Sequence, residues 1–177
     1  MSDWKEKMEE KNKAATLEEQ VVSLLQKKNF HVSFAESCTG GLCSARLVSV
    51  ASASAVFDAG VVTYANEAKI KYLGVKPATI ESYGVVSEPV AGQMAEGVAK
   101  AQNAEVGVGV SGIAGPTGGT ATKPVGMVCF GFYVDGELTT VTKQFGDLGR
   151  NVVREAATEF VFETLVQLLG GNENETV

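Results

Sequence analysis

The sequence of 177 residues is poor in the residues that build metal sites, because it contains one histidine and three cysteines. A single histidine excludes any site that needs a histidine pair. Cys38 and Cys43 are five residues apart, which matches no zinc-knuckle spacing. We therefore expect neither a metal nor any other cofactor.

Long apolar runs are also missing, since none approaches the roughly 18 residues of a membrane span. The first residues, MSDWKEKMEEKNK, are charged and lack the apolar core of a secretory signal. Cysteines in a chain without such a signal are expected to stay reduced, which favours a cytoplasmic protein.

Positive charge is scarce, because 15 Lys and Arg residues face 21 Asp and Glu residues, for a net charge of −6. Duplex nucleic acid and anionic membranes are bound through clustered Lys and Arg, so we expect neither partner. Hydrophobic residues are plentiful at 45%, and charged residues make up 20%. This composition and length are typical of one globular domain with its own core.

The chain is divided here into a charged lead-in (1–15), a single domain (16–170) and a disordered polar tail (171–177). A capping box, Thr16 with Glu19, predicts the start of a helix that runs to about residue 28. Further elements are predicted by periodicity and by turn residues: strand 31–35, helix 42–50, strand 60–64, helix 67–73 capped by Asn66, helix 88–102 capped by Ser87, strands 106–110, 125–134 and 138–145, and helix 151–169. This order predicts a three-layer α/β/α sandwich with a mixed, mainly parallel sheet and an antiparallel hairpin.

Two loops rich in Gly, Ser and Thr, 36–41 and 111–120, follow the carboxyl ends of predicted strands. Ligands of α/β sheets bind at this edge. Glycines allow close approach of the backbone, and helix N-termini attract anions. The loops therefore suit an anionic ligand despite the negative net charge, and turn formation without a ligand is the alternative.

Ser37 lies at a strand-to-helix turn, where a nucleophile would meet free N–H groups. A serine that only caps the helix is the alternative. A serine nucleophile needs a base. His31 is about 20 Å away along the strand, at about 3.3 Å per residue, and is too distant. Lys69 is the best-placed base, because burial and a helix N-terminus would lower its pKa; a solvated lysine is the alternative. Tyr64 is a candidate for orienting Lys69 or relaying a proton.

Two further candidates follow from the same pattern. Cys38 is a rival nucleophile, since a thiol at a helix N-terminus is acidified, and a small buried residue is the alternative. Arg150 and Arg154 are four residues apart and could hold a phosphate or carboxylate in a bidentate way. A solvated helix face explains their spacing equally well.

Four ordered segments of the sequence resemble the CinA C-terminal domain family over roughly residues 16–169. The segments are AESCTGGL (35–42), GVVTYANEAKIKYLGV (60–75), GVVSEPVAGQMAEG (84–97) and GVSGIAGPTGG (109–119), followed by KPVG (123–126). Stand-alone members of this family are nicotinamide-nucleotide amidohydrolases of the PncC type. The resemblance implies an α/β/α fold and hydrolysis of nicotinamide mononucleotide to nicotinate mononucleotide and ammonia, in pyridine nucleotide salvage.

The resemblance also implies site residues. It places the family's serine nucleophile on Ser37, its lysine on Lys69 and its tyrosine on Tyr64. The family's arginine pair follows Gly-Asp directly, whereas here two residues, Leu-Gly, stand between Gly-Asp and Arg150. The full set of predicted substrate-binding residues is Glu36, Thr39, Gly40, Gly41, Ser111, Gly112, Gly115, Arg150 and Arg154.

The predicted reaction is a metal-independent amide hydrolysis in which N–H groups of the turn 39–41 stabilise the oxyanion. The expected partners are the mononucleotide substrate and further copies of this chain in a homo-oligomer. Two alternatives stay open. One is a nucleotide-binding or regulatory module without catalysis, and the other is a thiol enzyme that uses Cys38.

Overall fold

A computed structural model describes residues 15–170. The predicted lead-in falls almost entirely, and the predicted tail wholly, on residues that lie outside this range. Within it the chain forms six α-helices and five β-strands, numbered here in chain order: α1 (Leu17–Lys28), β1 (Val32–Glu36), α2 (Leu42–Leu47), β2 (Phe57–Val62), α3 (Asn66–Leu73), α4 (Pro77–Tyr83), α5 (Glu88–Gln102), β3 (Val106–Gly112), β4 (Met127–Val134), β5 (Glu137–Gln144) and α6 (Arg150–Gly170).

The five strands form one mixed sheet in the order β2-β1-β3-β4-β5. Strand β1 pairs in parallel with β2 and β3, whereas β4 pairs antiparallel with both of its neighbours. Four strands therefore run in one direction and β4 runs against them, which confirms the predicted fold class. Because β1, β2 and β3 end at the same edge, the loops that follow them meet there.

Helices cover both faces of the sheet. On one face α1, α2 and α6 pack against Phe34, Val108 and Phe130. On the other face α3, α4 and α5 pack near Ala35 and Met94. Neighbouring residues of β1 thus point into different cores, as the alternation of a strand requires, and every residue of β1 is buried. Strand β1, which leads into the loop 36–41, is therefore held in place by packing on both of its faces.

Local predictions are confirmed at α1 and corrected at two later helices. Thr16 Oγ1 accepts the N–H of Glu19 at 3.3 Å and the Glu19 carboxylate accepts the N–H of Thr16 at 2.8 Å, so the predicted capping box is present. Asn66, predicted as an N-cap, is instead the first residue of α3. Ser87 does occupy the N-cap position of α5, but its hydroxyl donates to Gly84 O at 2.8 Å and caps nothing.

Other differences concern boundaries and one short helix. Helix α2 ends at Leu47, before the predicted residue 50, and β2 covers Phe57–Val62 where 60–64 was predicted. Helix α4 was not predicted at all. It has Pro77 in its first turn, and none of its residues is fully buried. It connects the loop after α3 to residues 84–86, which form a wall of the cavity described below.

Candidate active site

Glu36, the last residue of β1, organises the turn that follows it. Its carboxylate is fully buried. It accepts the N–H groups of Gly41 at 2.9 Å, Cys43 at 3.1 Å and Ser44 at 2.9 Å, and the hydroxyl of Ser44 at 2.7 Å. A negative charge at the start of α2 satisfies N–H groups that have no partner within the helix. Glu36 therefore shapes the turn 37–41 from inside the protein.

Arg154 holds the same turn from the side of α6. Its Nε donates to Cys38 O and its Nη2 donates to Thr39 O, both at 3.0 Å. The N–H of Gly40 donates to Ser37 O at 3.1 Å and closes the turn. The backbone after Ser37 is thus fixed through its N–H groups by one charged side chain and through its carbonyls by another.

Ser37 and Lys69 meet at this turn. Lys69 lies on α3, and its side chain is fully buried. Its Nζ lies 3.1 Å from Ser37 Oγ, 2.6 Å from Thr63 O and 3.4 Å from Tyr64 O. The structure therefore brings together the predicted nucleophile, from the turn after β1, and the predicted base, from the helix after β2.

Burial lowers the pKa of Lys69 below its ordinary value of 10.5, because a buried ammonium loses its hydration. A neutral amine has two N–H groups and one lone pair. The N–H groups can serve the carbonyls of Thr63 and Tyr64, which leaves the lone pair for the hydroxyl of Ser37. The arrangement of acceptors around Lys69 therefore suits a base.

A cavity of about 460 Å³ opens beside this pair, a size typical of small-molecule sites. Its wall comes from the loops after the parallel strands and from the start of α6. The lining residues are Ser37, Cys38, Tyr64, Asn66, Lys69, Gly84, Val85, Val86, Ser111, Gly112, Ile113, Ala114, Gly115, Thr117, Gly118, Thr120, Lys123 and Arg150. Of the residues between 15 and 170, those in this wall include two cations besides Lys69, namely Lys123 and Arg150, and no carboxylate, which favours an anionic ligand.

Two cations in the wall meet neutral partners. Arg150 donates to Gly115 O at 2.8 Å through Nη1 and to Tyr64 Oη at 2.7 Å through Nη2. Lys123 donates to the carbonyls of Tyr83 and Val86. Since these acceptors carry no formal charge, both cations keep a charge that a ligand can neutralise.

The structure brings seven of the predicted site residues to the cavity: Ser37, Tyr64, Lys69, Ser111, Gly112, Gly115 and Arg150. The hydroxyl of Ser111 also donates a hydrogen bond to the backbone carbonyl of Val85 at 2.8 Å. Five others lie outside the wall: Glu36, Thr39, Gly40, Gly41 and Arg154. Glu36, Gly40, Gly41 and Arg154 form hydrogen bonds within the turn or behind it, whereas Thr39 Oγ1 is buried without a hydrogen-bond partner among residues 15–170. Lys123 was not predicted, although the KPVG segment that carries it was noted.

The rival nucleophile Cys38 lies in the wall, but its thiol is held protonated. Burial raises the pKa of Cys38 to about 12, against a smaller opposing effect of the N–H groups of Cys38 and Thr39. The predicted acidification by a helix N-terminus is therefore outweighed. His31 bonds Asp58 through Nδ1 at 2.8 Å, at the far end of β1 from Ser37.

Metal binding and membrane crossing each require features that can be checked in residues 15–170. Between residues 15 and 170, no group of three or more His, Cys, Asp or Glu side chains is placed to hold a metal ion. None of the helices in that range combines the length and apolarity that a membrane crossing requires.

The chain thus forms an α/β/α protein in which parallel strands end at a cation-lined cavity with a buried serine–lysine pair. The model of the CinA C-terminal domain matches residues 14–169, and the chain belongs to this family. The resemblance seen in the sequence is confirmed.

Similar proteins support this assignment. The CinA-like protein of Kosmotoga olearia is 48% identical over 148 residues, which cover 84% of this chain and 36% of that protein. The CinA-like protein of Chlorobaculum tepidum is 49% identical over 145 residues, which cover 78% of this chain and 34% of that protein. The chain therefore spans about a third of the length of these curated relatives.

Solved structures give the same fold. The competence/damage inducible protein from Agrobacterium tumefaciens has a TM-score of 0.83 at 40% identity, over 87% of this chain and 93% of that one. A CinA superfamily protein from Escherichia coli has a TM-score of 0.80 at 32% identity, over 87% and 91%. Both structures confirm the α/β fold class.

The contacts of Glu36 yield a prediction for stability. Replacement Glu36→Ala leaves three N–H groups and one hydroxyl without their acceptor, so we expect the free energy of unfolding to fall by about 3 kcal/mol. Urea unfolding followed by circular dichroism measures this change. Glu81→Ala, which alters an exposed glutamate of α4, is the control and should change stability by less than about 0.5 kcal/mol. Equal midpoints for the two variants would contradict a capping role for Glu36.

Proposed function

We propose that this chain is an amidohydrolase that deamidates nicotinamide mononucleotide to nicotinate mononucleotide and ammonia, in pyridine nucleotide salvage. The observation that carries the proposal is the 3.1 Å contact between Lys69 Nζ and Ser37 Oγ at the wall of the cavity. The resemblance of the sequence motifs to nicotinamide-nucleotide amidohydrolases supplies the substrate. We also propose residues 16–170 as a single catalytic domain.

In the proposed reaction Ser37 Oγ attacks the carboxamide carbon while neutral Lys69 takes the hydroxyl proton. The tetrahedral intermediate collapses when its C–N bond breaks, and the nitrogen leaves as ammonia with the proton that Lys69 returns. Water then attacks the acyl-enzyme ester, with Lys69 again as the base. The products are nicotinate mononucleotide and free Ser37.

The proposed oxyanion donors differ from the expected N–H groups of the turn 39–41, because Gly40 and Gly41 drop out and Cys38 is added. Of the turn 39–41, the N–H of Gly40 already donates to Ser37 O and the N–H of Gly41 donates to Glu36. The N–H groups of Cys38 and Thr39 act on the thiol of Cys38, whose pKa they lower, and a thiol is a weak acceptor. These two N–H groups are therefore the proposed donors to the carboxamide oxygen as it becomes negative.

Recognition of the mononucleotide is assigned to the cations of the wall. Among residues 15–170, the acceptors that Arg150 and Lys123 meet are neutral. A phosphate that enters the cavity can therefore form charge-assisted hydrogen bonds without first breaking an ion pair at either residue. Tyr64 accepts a hydrogen bond from Arg150 through its hydroxyl and one from Lys69 through its carbonyl, so it links this part of the wall to Lys69.

Loss of the nucleophile is the first test. Ser37→Ala is expected to lower ammonia release from nicotinamide mononucleotide by at least about 10³-fold, with an unchanged circular dichroism spectrum. Ser82→Ala, on the exposed side of α4, is the matched control and should keep the wild-type rate. Retained turnover in Ser37→Ala, together with its loss in Cys38→Ala, would assign the reaction to the thiol instead.

The pH dependence of the reaction is the second test. Because burial lowers the pKa of Lys69, the neutral base becomes abundant at a lower pH than for an ordinary lysine. We expect kcat/KM to rise with pH and to level off above an apparent pKa that lies below 10.5. The coupled ammonia assay, run across pH, checks this. Lys69→Met should abolish the rising limb, and a rate that falls as pH rises would contradict the role of Lys69 as a base.

Phosphate recognition is the third test. Arg150→Ala is expected to raise KM for nicotinamide mononucleotide by about 10- to 100-fold, since a charged hydrogen bond contributes about 1.5–3 kcal/mol. With the corresponding riboside, which has no phosphate, the same variant should behave like the wild type. Lys100→Ala, on the exposed surface of α5, is the control. An equal loss with both substrates would place Arg150 outside phosphate recognition.

A further inference from the structure

Arg154 lies one helical turn after Arg150 on α6, yet the two side chains have different surroundings. Arg150 lines the cavity, whereas Arg154 lies behind the turn 37–41 and contacts backbone. Its third hydrogen bond goes to Asn151 Oδ1 at 3.2 Å. All of its acceptors are neutral, so its positive charge acts on the turn itself.

The planarity of the peptide bond determines what this contact does. In a trans peptide the C=O and the N–H point in opposite directions, and the cis peptide found between residues 15 and 170 is Gly115–Pro116. Arg154 binds the carbonyl of Cys38, so the N–H of Thr39, in the same peptide, points away from α6. That N–H lowers the pKa of the Cys38 thiol, and Cys38 is part of the cavity wall.

The charge of Arg154 also makes the N–H of Thr39 a stronger hydrogen-bond donor. A guanidinium bound to a carbonyl oxygen draws electron density through the amide, and hydrogen bonds in such a chain reinforce one another. The neighbouring N–H of Gly40 is already used by Ser37 O. The effect at the cavity is therefore concentrated on the N–H of Thr39.

We infer that Arg154 is a positioning residue, which aims and polarises the N–H of Thr39 as an oxyanion donor for attack by Ser37. The inference rests on the proposed function in one respect, the role of Ser37 as the nucleophile. It does not depend on which carboxamide is the substrate. It assigns to Arg154 an effect on rate rather than on ligand binding.

The experiment measures covalent labelling of Ser37 by a small alkyl fluorophosphonate, followed by intact-mass spectrometry. Ser37 Oγ bonds to phosphorus, the P–F bond breaks, fluoride leaves and the hydroxyl proton passes to Lys69. The phosphoryl oxygen becomes negative where the carboxamide oxygen would. We expect Arg154→Ala to react about 10²- to 10³-fold more slowly than the wild type.

Four readouts separate positioning from a merely structural effect. Added guanidinium ion should restore part of the labelling rate to Arg154→Ala and none to Ser37→Ala. Arg154→Lys, which keeps a cation and one hydrogen bond, should react at an intermediate rate. The pH dependence of labelling should keep the wild-type midpoint, because Lys69 and Ser37 still meet. In the ammonia assay, Arg154→Ala should lower kcat and leave KM within about twofold.

Several outcomes would overturn the inference. Labelling of Arg154→Ala at the wild-type rate would do so, as would a rise in KM with unchanged kcat. So would a loss of rate in Arg154→Ala and Arg154→Lys that guanidinium does not restore and that a lower unfolding midpoint accompanies. Labelling of wild-type Ser37 without ammonia release from nicotinamide mononucleotide would contradict the proposed substrate, and the ratio of labelling rates would still decide the role of Arg154.

Discussion

The chemistry proposed for the cavity depends on the contact between Lys69 and Ser37. That contact in turn depends on how the amine of Lys69 is buried. The side chain of Lys69 is fully buried, and its Nζ meets a serine hydroxyl and two peptide carbonyls. Burial among neutral groups favours the uncharged amine, and only an uncharged amine has a lone pair for a proton. Carbonyl acceptors therefore satisfy the N–H groups of Lys69, whereas a carboxylate in their place would raise its pKa and hold it in the charged form.

An acidic chain can present a cationic cavity because its charges are separated in space. Glu36 is next to Ser37 in sequence, yet its carboxylate serves N–H groups at the start of α2. Arg154 serves carbonyls of the same turn. The charges that remain at the wall, on Arg150 and Lys123, have neutral partners. Affinity for an anion therefore follows from where the charges lie, whereas the net charge describes the surface as a whole.

The sequence was sufficient to predict the layers, most elements and the pairing of Ser37 with Lys69, because alternation, turn residues and ordered motifs are local signals. It was not sufficient to predict the direction in which polar side chains near the turn point. Arg154 is 116 positions from Cys38, whose carbonyl it binds, and no local pattern reports such a contact. Lys123 reaches the cavity only after its loop folds back toward residues 83–86. Helix α4 buries no residue fully, so it leaves no periodic signal.

Burial of Lys69 also couples the proposed amide hydrolysis to the free energy of unfolding. Because the pKa of Lys69 in the folded chain lies below 10.5, the unfolded chain binds more protons at pH values between the lowered and the ordinary pKa. The free energy of unfolding therefore rises with pH across this interval, and below it the cost of burying the ammonium stays constant. The protonation that removes the base thus also weakens the fold. The packing that buries Lys69 consequently favours its neutral form, since the same contacts that bury the side chain oppose its charge.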